Sequence, residues 1–138
     1  MEYVRLGRSD ITVSRICLGT MNFGEQNTEA EAHEQLDAAL DAGVTFIDTA
    51  EIYPVPPRAE TYGATEAFIG NWLRARGNRD KVVLATKVGG PNPNFGYIRD
   101  GRVLHDREGI EAALDASLKR LRTDYVDLYQ IHWPERNT

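Results

Sequence analysis

Hydrophobic positions follow two spacings along the chain, short apolar runs and longer stripes that recur every three to four residues. Short alternating segments, Tyr3 to Leu6 and Ile11 to Arg15, flank the turn formers Gly7, Ser9 and Asp10 and predict a hairpin over 3–15. The compact run Ile16-Cys17-Leu18 ends in Gly19-Thr20 and reads as a strand, with Cys17 as a buried thiol. A helix is expected over 28–42. Thr28 with Glu31 forms a capping-box pattern, Ala32, Leu36, Ala39 and Leu40 keep helical spacing, and Gly43 is a natural stop. Val44 to Asp48 follows at once as a strand.

Pro54, Pro56 and Pro57 force extended backbone and remove donors, so 49–63 is expected to be a long loop. A second helix is expected over 64–76, with Phe68, Ile69, Trp72 and Leu73 as its apolar stripe and Gly77 as its end. Lys81 to Val88 reads as a strand, and Gly89-Gly90-Pro91 then opens a polar loop that runs to Leu104. Asp106 is a plausible N-cap for a helix over 107–122, in which Ile110, Ala113, Leu114, Ser117, Leu118 and Leu121 give the clearest period in the chain. Tyr125 to His132 reads as the last strand. The order is a hairpin followed by β-α-β-α-β-α-β, which points to an α/β fold with a parallel sheet.

Composition narrows the class. The 138 residues are 41% hydrophobic and 27% charged, which fits one soluble globular domain and excludes collagen-like and disordered chains. The net charge of −5 lacks the electrostatic footprint of a nucleic-acid or anionic-membrane binder, so neither partner is expected. Cys17 is the single cysteine, which excludes an internal disulfide framework. No apolar run approaches the ~20 residues of a membrane span, and the first residues lack a signal-peptide core. A cytoplasmic protein is the expectation.

Two architectures fit the β-α order, a doubly wound open sheet and a (β/α) barrel. A Gly-x-Gly-x-x-Gly fingerprint is missing after every strand, and no Lys-Ser/Thr completes a phosphate loop after Gly19 and Gly24. Asp48, Lys87 and His132 lie at the C-terminal ends of successive strands, where barrel enzymes gather catalytic groups. Open sheets also bind ligands there.

Lys87 stands out as one of three lysines and sits in an otherwise apolar strand. Charge in a central strand costs several kcal/mol unless paired, and Asp48 is an available partner. A structural ion pair and a lysine snorkelling at the strand end remain alternatives. Tyr53 lies five residues past Asp48 in the loop that would cover such a site. A neighbouring ammonium favours the phenolate, and a tyrosine so tuned can give a proton to a developing alkoxide. An imidazole such as His132 could orient a substrate carbonyl and share its charge. No metal site is expected, because His33, His105 and His132 are dispersed.

The combination Asp48-Thr-Ala-Glu-Ile-Tyr53, then Ala85-Thr-Lys87, then Gln130-Ile-His132-Trp-Pro134 resembles the aldo-keto reductase superfamily. Leu18-Gly-Thr-Met21 and the Arg-Leu-Gly hairpin resemble it too, and the Tyr-Pro-Val-Pro-Pro loop with Gly70-Asn-Trp72 is similar to its bacterial Tas-like branch. The resemblance covers essentially the whole chain. It implies a (β/α)8 TIM barrel with an N-terminal β-hairpin plugging its base, and NADPH-dependent reduction of aldehydes and ketones. On the matching positions it implies that Tyr53 is the general acid, that Lys87 lowers its pKa, that Asp48 pairs with Lys87, and that His132 positions the carbonyl. It places Gly19, Thr20 and Met21, with Asp48, beside the NADP(H) nicotinamide. Phe23 and Trp133 would line the substrate pocket.

A complete barrel takes ~250 residues and eight strands. Strand ends at 19, 48, 87 and 132 make four, so the expectation is a half barrel, strands 1–4 of 8, occupying 1–138 as a single domain. Such a piece keeps the tetrad and lacks most of the cofactor grip. Its inward side chains would face water and its edge strands would be unpaired. It would therefore need a complementing C-terminal half or a second copy as a homodimer. Three readings follow: a reductase of small carbonyl substrates, an inert remnant, or a regulatory binding module.

Overall fold

A computed structural model describes residues 1–134; residues 135–138 of the expected domain lie outside the described residues. Two short strands, β1 (Tyr3–Arg5) and β2 (Thr12–Ser14), form the antiparallel hairpin. Strands β3 (Cys17–Gly19), β4 (Phe46–Asp48), β5 (Val83–Val88) and β6 (Leu128–Ile131) alternate with helices α1 (Glu29–Asp41), α2 (Ala64–Arg76) and α3 (Arg107–Leu121). The four strands form one parallel sheet in the order β3-β4-β5-β6. Each helix therefore joins two adjacent parallel strands, the repeating unit of a (β/α) barrel.

Local chemistry sets the helix starts as the spacing predicts. Thr28 caps α1: the Glu31 amide donates to Thr28 Oγ1 at 3.3 Å, and the Thr28 amide donates to Glu31 Oε2 at 2.8 Å. Asp106 caps α3 by accepting from the Gly109 amide at 2.8 Å. Gly77, in the left-handed region at φ 59°, ends α2. Gly70 has a different role. A Cβ there would lie 2.2 Å from the Arg120 carbonyl oxygen, so only glycine lets α2 press against the end of α3.

The helices cover one face of the sheet. Leu18, Ile47 and Leu84 alternate onto that face and pack with Ala32, Leu36, Ile69, Trp72, Leu73, Val82 and Leu121. Trp72 is fully buried, and its indole N–H donates to Asp37 Oδ1 at 2.7 Å, tying α2 to α1.

The opposite face carries Cys17, Phe46, Asp48, Val83, Ala85, Lys87, Leu128 and Gln130. Of these only Ala85 is buried. Cys17 corrects the sequence reading. It is exposed, on β3 at the edge of the sheet.

The hairpin lies at the N-terminal end of the sheet. Ser14 Oγ accepts from the amides of Thr45 and Phe46 at 3.0 and 3.2 Å, and the Tyr3 hydroxyl donates to the Gly43 carbonyl at 2.9 Å. The C-terminal strand ends are left to the loops. There the segment after β5 departs from the expected polar loop. Phe95, Ile98 and Val103 are buried and form a second core with Ala50 and Ile52, flanked by Tyr53, Tyr62, Tyr97 and Trp133. Their irregular spacing follows no secondary-structure period, so they read as loop residues until the turn after β4 supplies their packing partners.

Candidate active site

Parallel register brings the strand-end residues together. Gly19 pairs with Asp48, Asp48 with Ala85, and Lys87 with Gln130. Asp48, Lys87 and Gln130 therefore project from the same open face, and His132 follows β6 directly. The His132 amide donates to the Val88 carbonyl at 3.1 Å, extending the β5–β6 pairing one residue further.

Lys87 Nζ is the hub. It donates to Asp48 Oδ2 at 2.6 Å and to the Thr49 carbonyl at 2.7 Å, and it lies 3.5 Å from the Tyr53 hydroxyl. These three contacts use all three ammonium protons. The Lys87 side chain is 13% exposed and that of Asp48 26% exposed. A lone ammonium at such a depth would cost several kcal/mol; the carboxylate and the carbonyl offset that cost. Gln130 Nε2 donates to Asp48 Oδ1 at 3.1 Å, so both carboxylate oxygens are held.

Tyr53 comes from the turn after β4. Its amide donates to the Ala50 carbonyl at 3.2 Å, and its own carbonyl accepts from the Gly63 amide at 3.1 Å. The His132 ring meets the Tyr53 ring edge-on, with centroids 5.5 Å apart. His132 Nδ1 is buried without a hydrogen-bond partner. Burial, with the nearby Lys87 charge, holds the imidazole below its ordinary pKa of 6.5; Asp48 acts weakly in the other direction. His132 is thus neutral at pH 7.

The remaining sequence-predicted residues divide. The Thr20 hydroxyl donates to the Asp48 carbonyl at 2.9 Å, fixing the exit of β3 to that of β4. Gly19 and Met21 are exposed, and no atom lies within 4 Å of a Cβ built on Gly19. This leaves an open shelf beside Asp48. Trp133 packs on His132 at 5.1 Å and on Phe95 at 5.9 Å between centroids. Phe23 goes elsewhere. It is 2% exposed within the helix-side core, and its side chain does not face the strand-end cluster. Among the described residues, no group of three or more His, Cys, Asp or Glu could hold a metal ion, and no helix is long and apolar enough to cross a membrane.

Several buried polar residues escape the sequence reading. Glu51 is 0% exposed and binds Arg99; its Oε1 accepts from the Tyr62 hydroxyl at 3.0 Å and its Oε2 from the Gly89 amide at 2.9 Å. Glu66, also 0% exposed, accepts from the Thr86 hydroxyl at 2.5 Å and from Arg120 Nε at 2.7 Å. Glu66 lies in one stripe with Ile69 and Leu73, and a carboxylate in an apolar stripe is a signal of a buried partner. Glu51 carries a similar signal between Ala50 and Ile52.

The chain matches the aldo/keto reductase family over residues 15–138. It is 55% identical over 139 residues to Protein tas of Escherichia coli (strain K12), covering 100% of this chain and 40% of that protein. It is 49% identical over 141 residues to the uncharacterized oxidoreductase YrpG of Bacillus subtilis (strain 168), covering 100% and 42%. Among solved structures it superposes on the thermostable aldo-keto reductase Tm1743 with a TM-score of 0.77 and 32% identity, covering 100% of this chain and 45% of that one. An aldo-keto reductase from Bacillus halodurans in its holo form gives a TM-score of 0.75 and 35% identity, covering 95% and 40%. The chain thus spans less than half the length of the relatives it matches. Its four parallel strands are half of their eight-stranded barrel.

Proposed function

Because this chain belongs to the aldo/keto reductase family, we propose that it carries the proton-donating half of an NADPH-dependent oxidoreductase that reduces aldehydes and ketones to alcohols. The observation that carries the reading is the junction at Lys87, whose Nζ touches both the Asp48 carboxylate and the Tyr53 hydroxyl.

NADPH, when bound, supplies the hydride. The residues present fit its nicotinamide end: the open shelf at Gly19, beside the exposed Met21, would admit a flat ring, and buried Thr20 ties that shelf to the Asp48 carbonyl. Asp48 stands beside that shelf.

Tyr53 donates its hydroxyl proton to the carbonyl oxygen as negative charge develops there. The ammonium of Lys87 stabilises the phenolate that remains, since an adjacent positive charge favours the ionised form. Asp48, braced by Gln130, keeps Nζ at that distance. The neutral imidazole of His132 orients the carbonyl oxygen toward Tyr53 without adding a second positive charge. Trp133 walls the substrate side. Phe23, enclosed in the core, takes no part.

The test is Tyr53→Phe in the assembled barrel, this chain with a complementing C-terminal half, with para-nitrobenzaldehyde as substrate. Loss of a positioned general acid removes about 10²–10⁴-fold of rate, while NADPH fluorescence on binding is unchanged. Parental turnover in Tyr53→Phe overturns the assignment.

A further inference from the structure

Glu51 and Arg99 have no role in the reduction just described. Glu51 is two residues from Tyr53 and is tied twice to the segment around Lys87. Its amide donates to the Lys87 carbonyl at 3.0 Å, and its Oε2 accepts from the Gly89 amide at 2.9 Å. One residue thus spans the turn that presents Tyr53 and the strand end that presents Lys87.

The counter-charge comes from far along the chain. Arg99, 48 residues away, binds Glu51 Oε1 from within the loop after β5; Arg99 Nε also donates to the Arg102 carbonyl at 3.1 Å. The pair is enclosed, with Glu51 0% and Arg99 11% exposed at the side chain. The Tyr62 hydroxyl adds a donor to Glu51 Oε1, and burial and the Glu51 charge hold that phenol above its ordinary pKa, so it remains a donor.

The loop accepts backbone strain at this point. Arg99 and Asp100 are both left-handed, with φ of 46° and 54°. Non-glycine residues adopt that region only where the surroundings enforce it. Here the enforcement is the ion pair on one side and the burial of Phe95, Ile98 and Val103 against Ala50 and Ile52 on the other.

We infer that Glu51 and Arg99 form a latch that fastens the loop after β5 to the turn carrying Tyr53, and that this latch sets the approach of the Tyr53 hydroxyl to Lys87. Both are positioning residues. The inference rests on the proposed reduction, because its consequence is read in that reaction. With the latch closed, Phe95 backs Trp133, so the proton donor and the substrate-side wall are placed by a single contact. With it open, Tyr53 keeps its chemistry and loses its alignment, and small misplacements of a reacting group cost much of its rate.

The experiment compares Glu51→Gln, Arg99→Met, Arg99→Lys and the double variant E51Q/R99M with Tyr53→Phe, in the same assembled barrel, using NADPH and para-nitrobenzaldehyde. The expected result is a fall in kcat of about tenfold or more in Glu51→Gln and Arg99→Met, with NADPH affinity unchanged and most of the rate recovered in Arg99→Lys. The double variant falls no further than the worse single variant, as residues acting through one contact are non-additive. It also removes both charges, and so is the folded comparison should Arg99→Met leave Glu51 unpaired and unfold the protein. Parental kcat in folded Glu51→Gln or in the double variant overturns the latch. So does a double variant whose loss is the product of two independent losses. If Tyr53→Phe is inactive while these variants turn over normally, the latch alone fails. If Tyr53→Phe itself is active, the reduction reading fails and takes the latch with it.

Discussion

The two faces of the four-stranded sheet are built from the same strands and fare differently. On the helix side, Ile47 and Leu84 are 2% and 0% exposed and are packed by α1, α2 and α3. On the other side, Phe46, Val83 and Leu128 are only half-buried and Cys17 is open to solvent. Successive residues of one strand thus alternate between a closed core and an unfinished one. The helix-side core is local, because each helix packs on the strands it connects. The inner face of a barrel is closed only by strands across the barrel axis, and the parallel sheet of the described residues has four strands on one side. The family relatives, of which this chain spans about 40%, have the length to supply the others.

This contrast can be broken most sharply at Trp72. Trp72→Ala should destabilise the fold by about 3–5 kcal/mol, measured by urea unfolding; a loss under about 1 kcal/mol would mean that the helix side is not the main core. The next expected effect is self-association. With β3 and β6 as parallel edges and Phe46, Val83 and Leu128 half-exposed on the inner face, the 138-residue chain expressed alone should elute above its monomer position in size-exclusion chromatography. A sharp monomer peak with a cooperative melt would show that the open face needs no partner. Val83→Ala, on the half-buried face, should cost about 1 kcal/mol or less in the same urea assay; a Trp72-sized loss would show that this face is already closed.

The smallest effect concerns His132. Its folded pKa lies below the unfolded value near 6.5, so the unfolded chain binds the proton more readily. The stabilisation from keeping this imidazole neutral is present above about pH 6.5 and is lost as pH falls through that value toward the folded pKa. His132→Gln should therefore show a shallower loss of stability than the parent between pH 7 and pH 5. Parallel curves would show that the imidazole is not buried in its neutral form.

The four strand-end and turn residues were picked out by their position together with the resemblance of the spaced motifs that hold them. Lys87 interrupts an apolar strand, Asp48 and His132 end strands, and Tyr53 precedes a proline-rich turn. The second set was not. Arg99 reaches Glu51 across 48 residues and Arg120 reaches Glu66 across 54, and no periodicity links positions so far apart. Phe95, Ile98 and Val103 were equally hidden, since they pack on a turn rather than along a strand or helix. Phe23 is the opposite case. The resemblance implied a pocket wall, and the ring is instead buried in the helix-side core with Ala32, Leu36, Ile69 and Trp72.

What the amino-acid order determined by itself is the sequence of strands and helices, their caps, and the identities of the groups at the strand ends. These depend on residues within a few positions of one another, through capping hydrogen bonds, turn preferences and hydrophobic period. Tertiary structure decided which charges are buried together, which face of the sheet is finished, and how closely the Tyr53 hydroxyl approaches Lys87. Those properties depend on separations of a few ångströms between segments far apart along the chain, and only the packed fold sets such distances.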